Sequence, residues 1–143
     1  MISVQLAMPP PEPELFRIQS EADIVLARRL VRAAADGLGF GLTDVTRIVT
    51  AASELTRNIY VYAGTGTMRC QRVHEGSKIG LELVFADTGP GIPDIAKAME
   101  PGFSTHKSMG MGLPGSKRLM DELAVHSEVG KGTTVVTRKW LRR

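Results

Sequence analysis

Apolar residues recur at helical spacing early in the chain. Ile24, Ala27, Leu30, Val31 and Ala34 lie three and four positions apart and mark one face of a helix. Ser20 precedes the run as an N-cap, Glu21 and Asp23 put acid in the first turn, and Gly37 and Gly39 supply a stop. The spacing predicts a helix over 21–36. A second stripe, Val45, Ile48, Val49, Ala52, Leu55 and Ile59, predicts another, capped by Thr43 and ended by Gly64 and Gly66. Alternation by twos then takes over. Met68, Cys70 and Arg72 share a face of a strand over 67–73, as do Ile79, Leu81, Leu83 and Phe85 over 79–86. Glu75-Gly76-Ser77 between them is turn chemistry, so the pair reads as a hairpin. Leu15 to Ile18 is a short edge-strand candidate. Residues 113–123 are helical in pattern, and 124–127 and 133–141 are the last strands, joined at Gly130-Lys131-Gly132.

The order β-α-α-β-β-loop-α-β-β keeps strands and helices in groups. It predicts an α+β fold, a two-layer α/β sandwich with helices on one face of a mixed, mostly antiparallel sheet. A length of 143 residues suits one domain with one core, expected over 14–143. A lead-in over 1–13 carries Pro9, Pro10, Pro11 and Pro13 and reads as a tail, with a PxxP ligand as the alternative.

Composition acts mainly by exclusion. With 43% apolar and 23% charged residues the chain is an ordinary globular one. The net charge of +3 owes much to Arg138, Lys139, Arg142 and Arg143, with no basic stripe interleaved with aromatics, which argues against nucleic acid. A single cysteine, Cys70, excludes an internal disulfide and fits a reducing compartment. No secretion signal is visible, and no apolar run nears the ~20 residues of a membrane helix. The expected setting is the cytoplasm, with no membrane partner.

The chemistry concentrates between Asp87 and Gly115, where a carboxylate heads a stretch holding six glycines. Glycine is kept where backbone turns tightly or lies close to something else. Asp87 sits where an apolar strand ends, and its carboxylate can accept from an adenine amine. Gly89 and Gly91 let the loop pass near a flat base, although Asp, Gly and Pro are also plain turn residues. Gly110-Met-Gly-Leu-Pro-Gly115 has the spacing of the dinucleotide fingerprint but follows the polar run Phe103 to Met109 rather than a strand, so that match misleads. What remains is a glycine-rich turn before a helix, whose free N–H groups attract phosphate. No Walker P-loop occurs; 125–132 comes nearest and lacks its first Gly and its Ser or Thr. Glu54 and Asn58, four apart, share a helix face. Asn58 can offer a neutral oxygen to Mg²⁺, and Glu54 can take the proton of an attacking hydroxyl, or the pair is a solvated face. His106 and Lys107 lie between the glycine clusters, where either can reach a γ-phosphate or simply face solvent. His74 and His126 have no metal-spaced partner and read as structural.

Taken in order, these elements resemble the Bergerat-fold ATPases (GHKL), which include histidine-kinase ATP domains, gyrase-type topoisomerases and mismatch-repair ATPases. Glu54-Leu-Thr-Arg-Asn58 is similar to the N box, Asp87-Thr-Gly-Pro-Gly91 to the first glycine box, Gly110-Met-Gly-Leu113 to the second, and Gly130-Lys-Gly-Thr133 to the last. Within that superfamily, Ser53 to Ile59, Gly112 to Glu122, Gly132 to Val135 and the final Lys139-Trp140 resemble the RsbT-type switch-protein serine/threonine kinases. The resemblance implies the Bergerat ATP-binding fold, ATP and Mg²⁺ as cofactors, and phosphorylation of a STAS-domain antagonist. It also implies partner switching, in which the released kinase activates a phosphatase in a bacterial stress or sigma-factor cascade of stressosome type. It implies Glu54 as base, Asn58 as Mg²⁺ ligand, and Asp87 and Thr133 as base-side contacts. Gly89, Gly91, Lys107, Gly110, Gly112 and Leu113 complete the nucleotide site. The stretch between the glycine boxes lacks Arg, so the γ-phosphate contact stays open. Two alternatives stand beside this kinase: an anti-sigma factor that sequesters a sigma factor and phosphorylates its antagonist, and a non-catalytic nucleotide-binding module.

Overall fold

The computed structural model describes residues 15–100 and 107–142, with 107–112 described by backbone alone. The 1–13 lead-in, the start of the domain at 14, and His106 lie outside the described residues.

The strands are β1 (Leu15–Ile18), β2 (Gly66–Glu75), β3 (Lys78–Asp87), β4 (Glu122–Glu128) and β5 (Gly132–Trp140). They form one sheet in the order β1-β2-β3-β5-β4, and every pairing is antiparallel. The predicted hairpin is β2–β3, turned at Gly76 with φ 61°. Inner-face residues form continuous rows across the register. Phe16, Met68, Phe85, Val135 and Val125 make one row; Cys70, Leu83, Thr137 and Leu123 make the next. Helices α1 (Ala22–Leu38) and α2 (Leu42–Asn58) cover these rows together with α4 (Lys107–Leu119), and a short α3 (Ile95–Ala98) closes one end. This is the expected layer of helices on one sheet face.

The α2 stripe behaves as its spacing predicts, since Val45, Ile48, Val49, Ala52, Leu55 and Ile59 are all buried. In α1 the buried line is Ile24, Ala27, Val31 and Ala35, and Leu30 is 48% exposed, so the stripe lies one position round from the expected one. Both predicted N-caps fail. Ser20 makes no cap; instead Asp23 reaches back, its Oδ2 accepting from the N–H groups of Gln19 (2.8 Å) and Ser20 (3.0 Å). Those bonds hold the Asp23 carboxyl below its usual range. Gly41 rather than Thr43 stands at the N-cap of α2. The C-terminus of α1 passes through Gly37 and runs two residues beyond the expected 36, stopping at the second predicted glycine: Gly39 is left-handed (φ 95°), and Phe40 N–H returns to Ala35 O in a Schellman pattern.

The 113–123 helix differs at both ends. Helix α4 is already formed at Lys107, contains Gly110, Gly112, Pro114 and Gly115, and stops at Leu119. Glu122 and Leu123 belong to β4. Pro114 lacks an N–H and cannot bond back within α4. At the other end Lys139 is buried, donating to Leu119 O (2.7 Å) between Asp44 and Asp121 at 3.7 and 3.8 Å. It ties β5 to the end of α4 and the start of α2. No described helix is long and apolar enough to cross a membrane.

Candidate functional site

The site forms where β2, β3 and β5 end against the C-terminus of α2. Asp87 is the last residue of β3, and the register places it between Gly66 and Thr133. The row must be tight on the β2 side. A Cβ on Gly66 would lie 2.6 Å from both Ala86 O and Ile59 Cγ2, so only glycine lets α2 descend this close to the sheet.

Beyond Asn58, α2 runs into a π-helical turn, Ile59–Ala63, closed by Gly64 N–H to Ile59 O at 2.9 Å. The i→i+5 pattern fits an extra residue into the turn, a feature frequent at functional sites. Leu55, Asn58, Ile59, Tyr62 and Ala63 thereby line one wall of a cleft. Phe85, Asp87, Thr133 and Val135 form its sheet side, the Pro90–Pro93 segment closes over it, and Leu113 of α4 completes the lining. The cleft measures about 230 Å³. That is below the ~300–1,000 Å³ of sites that enclose a whole drug-sized ligand, so the cleft has room for part of one.

The loop after β3 is stitched down. Asp87 Oδ1 accepts from Gly89 N–H (2.9 Å), and a Cβ on Gly89 would meet Ala63 at 2.7 Å. Gly91 is left-handed (φ 80°), and a Cβ there would run into Glu128 O. Gly130 N–H donates to Pro90 O (2.8 Å), and Ile92 N–H donates to Ser127 Oγ (2.8 Å). The first glycine segment and the β4–β5 turn therefore form one rigid wall.

Asn58 and Asp87 thus line the same cleft, with Gly91, Leu113 and Thr133. Gly89 stands behind Asp87 as its hydrogen-bond donor. Glu54 is half-buried one turn before Asn58 and outside the lining. Lys107 starts α4, but its side chain lies outside the described residues. Gly110 and Gly112 are helical, so the expected loop of free N–H groups ahead of the helix is replaced by its first turns. Two features escaped the sequence reading. The π turn has no signature in Ile-Tyr-Val-Tyr-Ala, though Gly64 and Gly66 marked its end. Ser127 read only as the end of a strand; a serine facing a glycine-lysine-glycine turn was the available signal.

Asn58 Oδ1 is buried and has no hydrogen-bond partner among the described residues. An unsatisfied buried acceptor costs about 1–3 kcal/mol, which points to a group from outside the chain. Among the described residues no His, Cys, Asp or Glu cluster could hold a metal by itself. One neutral oxygen in a site otherwise open to ligand oxygens fits an ion such as Mg²⁺, which keeps few protein ligands.

Residues 19–139 match the family model described as "Histidine kinase-like ATPase domain". The serine/threonine-protein kinase RsbT of Bacillus subtilis is 55% identical over 126 residues, covering 88% of this chain and 95% of that protein. An anti-sigma F factor of a Thermoanaerobacter species is 36% identical, covering 89% and 90%. Among solved structures, the RsbU and RsbW domains of a Mycobacterium tuberculosis protein superpose with a TM-score of 0.62 at 15% identity, over 94% of this chain and 34% of that one. The mycobacterial sensor histidine kinase MprB gives 0.54 at 18% identity, over 90% and 97%. These two likenesses concern the fold alone.

Proposed function

Because the chain belongs to the histidine kinase-like ATPase domain family, we propose that it is an ATP-dependent protein serine/threonine kinase acting in the cytoplasm as one domain over 14–143. The observation that carries this reading is the shared cleft: Asn58 and Asp87 line one cavity from opposite elements. The adenine enters between the apolar walls of Leu55, Ile59, Phe85, Ile92 and Val135, with its amine toward Asp87 and Thr133. The closeness of Gly91 to Glu128 and of Gly89 to Ala63 keeps that end narrow. The triphosphate leaves the enclosed part toward α4, where Gly110, Gly112 and Lys107 meet it.

Asn58 Oδ1, unsatisfied among the described residues, would hold the Mg²⁺. When bound, the ion neutralises charge on the triphosphate. Glu54, one turn away and half-buried, accepts the proton of the substrate serine or threonine hydroxyl. As its oxygen bonds to the γ-phosphorus, the bond to the β-phosphate oxygen breaks and ADP leaves. Phosphoryl transfer asks chiefly for positioning, so a modest base suffices.

The substrate is a STAS-domain antagonist, and the kinase released from it activates a phosphatase in a stress-response cascade. The 55% identity to a protein named a serine/threonine kinase favours this over the anti-sigma reading, whose support is the 36% relatives. The test is transfer from γ-labelled ATP to STAS-domain proteins encoded nearby. Wild type labels one of them on serine or threonine, and Glu54→Ala binds ATP without transfer. Full transfer by Glu54→Ala removes that residue as the base. A wild type that binds ATP and partner but never transfers phosphate contradicts the kinase.

A further inference from the structure

Ser127 makes three contacts with one hydroxyl. Its Oγ is 2.8 Å from Ile92 N, 3.0 Å from Gly132 O and 2.9 Å from Thr133 Oγ1. A hydroxyl has one hydrogen and two lone pairs. The Ile92 amide can only donate, so it occupies a lone pair. The Gly132 carbonyl can only accept, so it takes the Ser127 hydrogen. The hydrogen in the third contact must therefore come from Thr133. One arrangement satisfies all three contacts, and it leaves Thr133 nothing but lone pairs for anything in the cleft.

We propose that Ser127 is a positioning residue that holds the Thr133 hydroxyl as an acceptor, and that this selects a 6-amino over a 6-oxo purine. The proposal rests on the nucleotide reading of the cleft. Thr133 and Asp87 are opposite each other in the β3–β5 ladder and both line the cavity. A carboxylate accepts only, and its Oδ1 already takes the Gly89 amide. With Thr133 locked, both polar side chains at this end of the sheet are acceptors. An amino group donates to them; a ring carbonyl meets lone pairs with no hydrogen to receive. Without Ser127, Thr133 is free to rotate and donate to the carbonyl, and the discrimination weakens. Ser127 also holds Ile92, whose side chain is buried in the lining. Its loss can therefore lower affinity for every nucleotide, and the ratio between two purines separates orientation from mere support.

The experiment is calorimetric titration of Mg-ATP and Mg-ITP into the full chain, for wild type, Ser127→Ala, Thr133→Val and the double variant. Wild type prefers ATP. Ser127→Ala lowers the ATP/ITP preference by about tenfold, the worth of one hydrogen bond. Thr133→Val lowers it as well, and adding Ser127→Ala to Thr133→Val changes the preference no further. Ser127→Thr, which keeps the hydroxyl, retains it. An unchanged preference in Ser127→Ala overturns the proposal even when both affinities fall. So does a Ser127→Ala effect that persists in the Thr133→Val background. Should Ser127→Ala not fold, an unchanged preference in Thr133→Val overturns it alone and a reduced one supports it. A wild type that binds no ATP overturns both this proposal and the nucleotide reading, whereas ATP binding with an unaltered ratio overturns this one only.

Discussion

Asp87 on β3 and Thr133 on β5 are direct partners in an antiparallel ladder, at the end of the sheet where the cleft opens. Forty-six positions apart in sequence, they are fixed side by side by backbone pairing rather than by loop conformation. Precise sites are built on such rigid elements. The helix wall opposite is equally determined, because Gly66 and Gly89 admit Ile59 and Ala63 at distances no side chain permits.

The turn that carries Thr133 depends on its neighbouring glycine. Gly132 has φ 130°, and a Cβ there would collide with Asp87 O and approach Thr88 Cα at 2.8 Å. Gly132→Ala should destabilise the fold by about 2–4 kcal/mol, since backbone strain alone costs 1–3. Gly37→Ala is the contrast: exposed, helical and with nothing within 4 Å, it should stabilise by about 0.5–1 kcal/mol. Urea unfolding of the two variants measures both, and equal effects would contradict the packing described.

Lys139 is 4% exposed and joins three elements through Leu119 O, Asp44 and Asp121. Lys139→Met keeps the stem but leaves a carbonyl and two carboxylates short of their partner. The expected loss is about 2–3 kcal/mol, tempered by the partial exposure of both acids. Chemical denaturation checks it, and a change under 0.5 kcal/mol would show the ammonium to be dispensable.

Burial pushes the Cys70 thiol up to about 11 from 9.0. Because the thiolate is the reactive form, alkylation at pH 8 should run about 100-fold slower than for a free cysteine, the effect of two pH units. The sign for stability follows. The folded protein holds this proton more tightly, so the contribution is complete below pH 9 and is lost as pH rises toward 11. Iodoacetamide kinetics against pH test it; free-thiol rates at pH 8 would contradict the burial.

Much of this was legible in the sequence because it is periodic. The α2 stripe and the alternation in β2 and β3 place Asn58 and Asp87 at element ends, and those two ends meet. Helix caps were less legible. Ser20 has the right chemistry, but Asp23 takes the amides ahead of the helix from within its first turn. The glycine-rich 110–115 segment reads as a loop by propensity, yet its backbone is helical. Leu113 packs into the core at 3% exposed, and such burial outweighs the roughly 1 kcal/mol per glycine that opposes helix. For Ser127 the short-range half was legible, since Gly132 and Thr133 lie across the expected turn, whereas its bond to Ile92, 35 positions away, depends on how the first glycine segment folds over β4.

On the proposed reading, one cleft grips a purine at Asp87 and a metal-bound triphosphate at Asn58. Calorimetric titration of ATP with and without Mg²⁺ tests it most directly. Asp87→Asn should weaken binding about 10–100-fold under both conditions, the range of a hydrogen bond to a charged group. Asn58→Ala should lose only the increment that Mg²⁺ adds. Wild-type affinity in Asp87→Asn, or an undiminished Mg²⁺ effect in Asn58→Ala, would contradict it.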